Sequence, residues 1–187
     1  MKNRPDVSII PINGKSPQID DSAFIAPGCR LIGDVRIGAD VSIWYNCVLR
    51  ADVSRIEIGR GTNIQDGSIV HCDGEVPGYR EECPTIIGED VLIGHMAMVH
   101  GCTIADKGFI GLKATIMNRC IVETQGMLAA GALLPEGKHI GERELWVGSP
   151  AKKLRELNEA ALEDMHRGTL HYVENGRAHR AAINAMG

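Results

Sequence analysis

Residues 102–137 read CTIADK GFIGLK ATIMNR CIVETQ GMLAAG ALLPEG when cut every six positions. The third residue of each block is aliphatic: Ile104, Ile110, Ile116, Val122, Leu128 and Leu134. The first is small: Cys102, Gly108, Ala114, Cys120, Gly126 and Ala132. A period of six matches neither the 3.6-residue repeat of a helix nor the simple alternation of a strand. It does match short strands separated by turns around a triangular prism, with three hexapeptides, about 18 residues, closing one coil. The small residue leaves room for a tight corner, and the aliphatic stacks over its counterpart in the next coil at the ~4.8 Å strand spacing. The predicted fold class is therefore an all-β solenoid, a parallel β-helix of hexapeptide repeats.

The same phase continues to Ile140 and recurs upstream, in Ile25, Leu31, Ile37, Ile43 and Leu49, in Ile58, Ile64 and Val70, and in Ile87, Ile93 and Val99. This predicts three regions: an extended N-terminal arm over 1–22, a β-helix over 23–148 interrupted by a loop at 72–84, and a helical segment over 149–187. Without the loop, 23–148 makes about six coils. In the last region Ser149 can cap a helix that has Pro150 in its first turn. Leu154, Leu157, Ala161, Leu162 and Met165 then follow at helical spacing. Gly168 is expected to end this helix before a second one begins near Leu170.

Composition agrees with a thin solenoid. Aromatic residues are only 4% of the chain while glycines number 22, so small and aliphatic side chains must fill the interior. The formal charge is −4 and no run of like charges stands out, which argues against nucleic acid as a partner. No stretch approaches the ~20 apolar residues of a membrane span, and Met1 to Ile12 lacks the apolar core of a signal peptide. A soluble, cytoplasmic protein is expected. The cysteines Cys29, Cys47, Cys72, Cys83, Cys102 and Cys120 form no CxxC pair. Four of them occupy the small corner position, the use expected of reduced thiols serving as small hydrophobes.

Three histidines fall in the middle of the repeat, in Val70-His71-Cys72 and in Gly94-His95-Met96-Ala97-Met98-Val99-His100-Gly101. Imidazole is a usual zinc ligand, and three of them leave a fourth position for water. Spacing alone also admits ordinary surface or hydrogen-bonded histidines. His71 and His100 each follow an inward aliphatic by one residue, so both should leave the prism in the same sense. His95 follows Ile93 by two and should point elsewhere. One chain is therefore poorly placed to bring all three to one ion, whereas a second copy packed alongside could donate His95. That predicts a homotrimer with a metal at each junction.

The blocks Leu49-Arg50-Ala51-Asp52, Thr62-Asn63-Ile64-Gln65-Asp66, Ile93-Gly94-His95, Val99-His100-Gly101-Cys102 and Gly148-Ser149-Pro150-Ala151 resemble those of the γ-class carbonic anhydrase family, most closely its compact bacterial members. The likeness begins at Ile32-Gly33-Asp34-Val35 and covers over four fifths of the chain. It implies a left-handed prism with a C-terminal α-helix. It also implies that His71, His95 and His100 are the ligands of a divalent metal, zinc first with iron or cobalt as alternatives, and that His95 comes from the neighbouring subunit of a trimer. Gln65 and Asn63 match polar residues that orient metal-bound water. Arg50, Asp52 and Asp66 match a charged set that ties subunits together beside the site, and Tyr172 resembles a tyrosine found near it.

The implied activity is reversible hydration of carbon dioxide to bicarbonate. The sequence departs from the most active members in two places. Val53 stands where they carry a glutamate, and the loop 72–84 is shorter than their acidic insertion bearing a proton-shuttling carboxylate. Asp73, Glu75, Glu81 and Glu82 remain in the loop and read most simply as solvated carboxylates. A weak hydratase is therefore one expectation. A metal-binding protein of the same fold with a noncatalytic or different role is another. A hexapeptide acyltransferase using acyl-CoA is the third; it would share the prism but use a histidine as general base and need no metal trio.

Overall fold

The computed structural model describes residues 6–186. The chain is a left-handed parallel β-helix of about eight turns with one C-terminal helix. Strand pairing sorts the aliphatics into three columns, one per wall of the prism. One runs Ile25, Ile43, Ile64, Ile93, Ile110, Leu128. A second runs Leu31, Leu49, Val70, Val99, Ile116, Leu134. The third runs Ile37, Ile58, Ile87, Ile104, Val122, Ile140. None of these side chains is more than 5% exposed. Each removes from water the area of a whole aliphatic, about 1.5–3 kcal/mol apiece, so the three columns are the core.

The corners explain the small residue. Lys107, Lys113, Arg119 and Gln125 all have φ between 58° and 60°, and each directly precedes a small corner residue. A left-handed residue turns the chain sharply inward, and the residue after it is pressed against the core. A Cβ at Gly108 would lie 2.7 Å from Ile104 Cγ2. All six cysteines are buried and free, and burial pushes the Cys72 thiol up to about 11.

The number of turns exceeds the six expected because pairing extends ahead of residue 23. Ser8–Ile10 pairs in parallel with Arg30–Ile32, and Gln18–Ile19 with Arg36–Ile37. At the other end Glu144–Val147 adds a strand below Met127–Leu128. The interruption at 72–84 folds back on itself as a small hairpin with antiparallel bridges Asp73–Cys83 and Val76–Arg80.

The C-terminal segment differs from expectation. No helix starts at Pro150: Lys152–Glu156 is a strand running antiparallel to Glu144–Val147, and Leu154 is 60% exposed on it. The strand wins because the last coil offers an unpaired backbone edge, and Lys153 is held there by Glu144 and Glu156. A single helix then spans Glu159–Ala185, capped by Asn158, whose Oδ1 accepts from the Ala161 amide at 3.0 Å. Gly168 does not break it. The penalty for one interior glycine, about 1 kcal/mol, is small beside the packing of a helix laid lengthwise on a prism wall. At ~1.5 Å per residue the helix is long enough to run back from the last coils to the first. Leu162 buries with Leu145 and Leu157 at its start, and a Cβ at Gly176 would already meet Ser42 Cβ at 3.1 Å. Between its middle and its end Trp44 meets Tyr172 and His179 edge-on at ring distances of 5.3 and 4.9 Å, and Tyr45 Oη lies 2.8 Å from His179 Nδ1.

Candidate metal centre

Two histidines share one wall. Pairing puts Arg50, His71 and His100 at the same register on three successive coils. Each follows an inward side chain, Leu49, Val70 or Val99, so strand alternation turns all three outward. Arg50 bonds Asp52 at 2.7 Å, and Asp52 Oδ1 in turn lies 3.1 Å from His71 Nε2. Burial would raise the Asp52 pKa, but the hydrogen bonds from Arg50 and His71 outweigh it and hold the carboxyl below the usual range. On the far side, His100 Nδ1 contacts Asn118 Oδ1, while Asn118 Nδ2 donates to Asp73 Oδ2 at 2.6 Å.

These contacts assign the ring protons. A carboxylate only accepts, so His71 carries its proton on Nε2 and leaves Nδ1 bare. An amide oxygen also accepts, so His100 carries its proton on Nδ1 and leaves Nε2 bare. The two bare nitrogens face each other at 2.9 Å. With both rings neutral, two lone pairs at that separation repel, and a cation between them, a proton or a metal ion, removes the repulsion. Burial, together with the charge of Arg50, lowers the His71 pKa against the pull of Asp52, which favours the neutral, ligating form of that ring. The donor chemistry of the pair fits a shared metal ion.

His95 stands on another wall. It follows Leu92–Ile93 and lies beside Asp66 of the coil below, whose Oδ2 is 2.8 Å from His95 Nδ1. The remaining nitrogen, Nε2, meets the Tyr172 hydroxyl in a long hydrogen bond of 3.4 Å. Burial raises the Tyr172 pKa, so its hydroxyl keeps its proton and donates. Asn63 and Gln65 belong to the same wall and are buried. Gln65 Nε2 donates to Asn63 Oδ1 at 3.1 Å, and Asn63 Nδ2 donates to the Val91 carbonyl.

The structure thus gathers Arg50, Asp52, His71 and His100 on one wall, and His95, Asp66, Asn63 and Gln65 on another, where Tyr172 reaches His95 from the C-terminal helix. Among the described residues no three His, Cys, Asp or Glu side chains gather tightly enough to hold an ion within one chain. Asn118 was not singled out in the sequence. Its only signal is position, one coil length of 18 residues after His100. Asp73 is not a solvated loop carboxylate: it bonds Asn118 and also Arg80 at 3.1 Å. Glu75, Glu81 and Glu82 are all exposed, and of the three Glu82 bonds Ser54 at 2.6 Å and pairs with Arg55.

Comparison with known proteins adds to this geometry. The family description "Bacterial transferase hexapeptide (six repeats)" matches residues 16–51. Gamma carbonic anhydrase 1, mitochondrial, of Arabidopsis thaliana is 46% identical over 172 residues, which are 91% of this chain and 62% of the relative. The chain therefore spans about three fifths of the length of the plant relatives it matches. A carbonic anhydrase of Geobacillus kaustophilus is 40% identical over 92% of this chain and 91% of its own. The crystal structure of a hexapeptide transferase family protein from Anaplasma phagocytophilum, 42% identical, superposes with a TM-score of 0.85 over 91% of this chain and 97% of that one. With the prism, the outward histidines and near full-length identity to a bacterial carbonic anhydrase in agreement, the chain belongs to the γ-class carbonic anhydrase-like family of hexapeptide-repeat proteins.

Proposed function

We propose that this protein catalyses metal-dependent, reversible hydration of carbon dioxide, as a homotrimer in which His71 and His100 of one chain and His95 of its neighbour hold a divalent ion, zinc in the first instance. The observation that carries this reading is the pair of imidazole nitrogens facing each other at 2.9 Å, each ring with its other nitrogen on an oxygen acceptor. His95 repeats the pattern with Asp66. An outer partner that fixes the tautomer is the usual companion of a metal-binding histidine. Six free, buried thiols suit a reducing compartment such as the cytoplasm.

When bound, such an ion brings the pKa of its water from 15.7 to ~7 in the best-known zinc enzymes, supplying hydroxide at neutral pH. The chain's own residues do the rest. Asp52 and Asp66 keep the imidazoles in their ligating tautomers. Gln65, fixed by Asn63, offers a rigid amide to orient the nucleophilic oxygen, and Tyr172 releases its hydrogen bond to His95 when that nitrogen becomes a ligand. In this reading Arg50, Asp52 and Asp66 also supply the charges that tie neighbouring chains together.

Proton removal is the weak step. Val53 is 53% exposed and has nothing to titrate, and Asp73 is engaged with Arg80 and Asn118. These two facts favour slow hydration, and they also give a second reading, a metal-holding scaffold without turnover. Stopped-flow hydration by anaerobically metal-loaded protein, beside a His100→Ala control, decides between them. A rate well above the control supports the enzyme. Equal rates with metal bound only by the wild type leave the scaffold. Equal rates without metal binding remove both.

A further inference from the structure

The hairpin at 72–84 carries the exposed carboxylates Glu75 and Glu81 away from its base, and it is the base that reaches the centre, at a specific point. Asp73 at its base is held by Arg80, by two backbone bonds with Cys83 and by Asn118. We propose that Asn118, oriented by Asp73, is a positioning residue that fixes His100 in the tautomer with a bare Nε2; the inference rests on the metal-binding reading given above. A free histidine side chain places its proton mainly on Nε2, so His100 needs an acceptor at Nδ1 to become a ligand through Nε2.

Asn118 alone could not guarantee that acceptor, because an amide can flip and present its NH2 group instead. Asp73 forbids the flip. Its carboxylate accepts only, so Asn118 must turn Nδ2 toward Asp73 and Oδ1 toward His100. The surrounding backbone makes room for this contact. Gly101 has φ +53°, and a Cβ there would lie 2.8 Å from Asn118 Oδ1 and 3.0 Å from Cys83 Sγ. The residue after His100 is thus one without a side chain, at the place where any side chain would press on the amide. The other two histidines receive a carboxylate directly, at 3.1 Å for His71 and 2.8 Å for His95. His100 receives one through a neutral relay, and the hairpin is the part of the chain that supplies it.

A different role, simple anchoring of the hairpin, predicts different mutants. Asn118→Leu removes both anchor and acceptor. Asn118→Asp keeps an acceptor for His100 but sets two carboxylates against each other, so it breaks the anchor alone. The first readout is long-range proton–nitrogen NMR of histidine-labelled, metal-free protein at pH 8.5. The expected result is a proton on His100 Nδ1 in the wild type and in Asn118→Asp, and on Nε2 in Asn118→Leu. The second is zinc affinity by chelator competition, expected to fall ~10–100-fold in Asn118→Leu, the usual effect of losing an outer partner, and to stay within a few-fold in Asn118→Asp. An unchanged His100 tautomer in Asn118→Leu overturns the proposal, as does an equal loss of zinc in both variants. If the wild type binds no zinc while the tautomers behave as described, the metal reading fails and the role of Asn118 in orienting the ring stands. Should Asn118→Leu not fold, a His100 proton on Nε2 in the wild type or in Asn118→Asp still refutes the assignment.

Discussion

At the scale of single residues, what decides the chemistry of the proposed centre is which nitrogen of each imidazole is left bare. Asp52 makes that choice for His71 and Asp66 for His95. Asp52→Asn replaces an acceptor-only group with an amide that can present either end, and zinc affinity should fall ~10–100-fold, measurable by chelator competition. Val53 is a second test, because it sits exposed next to Asp52 with no proton to give or take. Val53→Glu should raise the hydration rate at low buffer concentration and change little at high buffer, where the buffer itself carries protons. Rates measured across a buffer series check this; equal rates at every concentration would place the limiting step elsewhere. The outward sense shared by His71 and His100 could be read from their place one residue after an inward aliphatic. The link between Asn118 and Asp73 could not, because it depends on how a non-repetitive hairpin folds back across the coils.

At the scale of elements, the prism was legible because its rule is local: one aliphatic and one small residue in every six, with no long-range information needed. The C-terminus was harder. Helical spacing across Leu154 and Leu157 looked continuous, yet the unpaired edge of the last coil recruited 152–156 as a strand, a tertiary demand that local periodicity does not encode. Glu144 joins that strand to the coil. The hydrogen bond from Lys153, followed by that from Trp146, holds its carboxyl down to about 2, against an ordinary 4.5. A carboxylate depressed on folding contributes stability that is complete above pH 4.5 and lost as pH falls toward 2. Glu144→Gln should therefore lower the urea midpoint at pH 7 and flatten its decline between pH 4.5 and 2. A decline as steep as the wild type's would show that other carboxylates govern the acid limb.

At the scale of the whole molecule, the two halves of the proposed centre stand on different walls, so function and assembly become one question. The sequence already hinted at this, since His95 trails its inward aliphatic by two residues and its partners by one. Chains carrying His95→Ala and chains carrying His100→Ala should each bind no metal at the junction. Mixed by unfolding and refolding at equal amounts, they should recover about a quarter of the wild-type sites, because every mixed trimer contains one junction with three intact histidines. Metal content and hydration of the mixture measure this, and no recovery would break the shared-site arrangement.

The returning strand Lys152–Glu156 has a consequence outside catalysis. A stack of parallel strands ends in a row of open amides and carbonyls, and another copy of the same stack is the best possible match for them. Here that end is occupied by a strand of opposite direction reading Lys-Lys-Leu-Arg-Glu, exposed throughout. A neighbour arriving end-on at this wall meets charge in place of a free parallel edge, which disfavours stacking of one molecule on the next there.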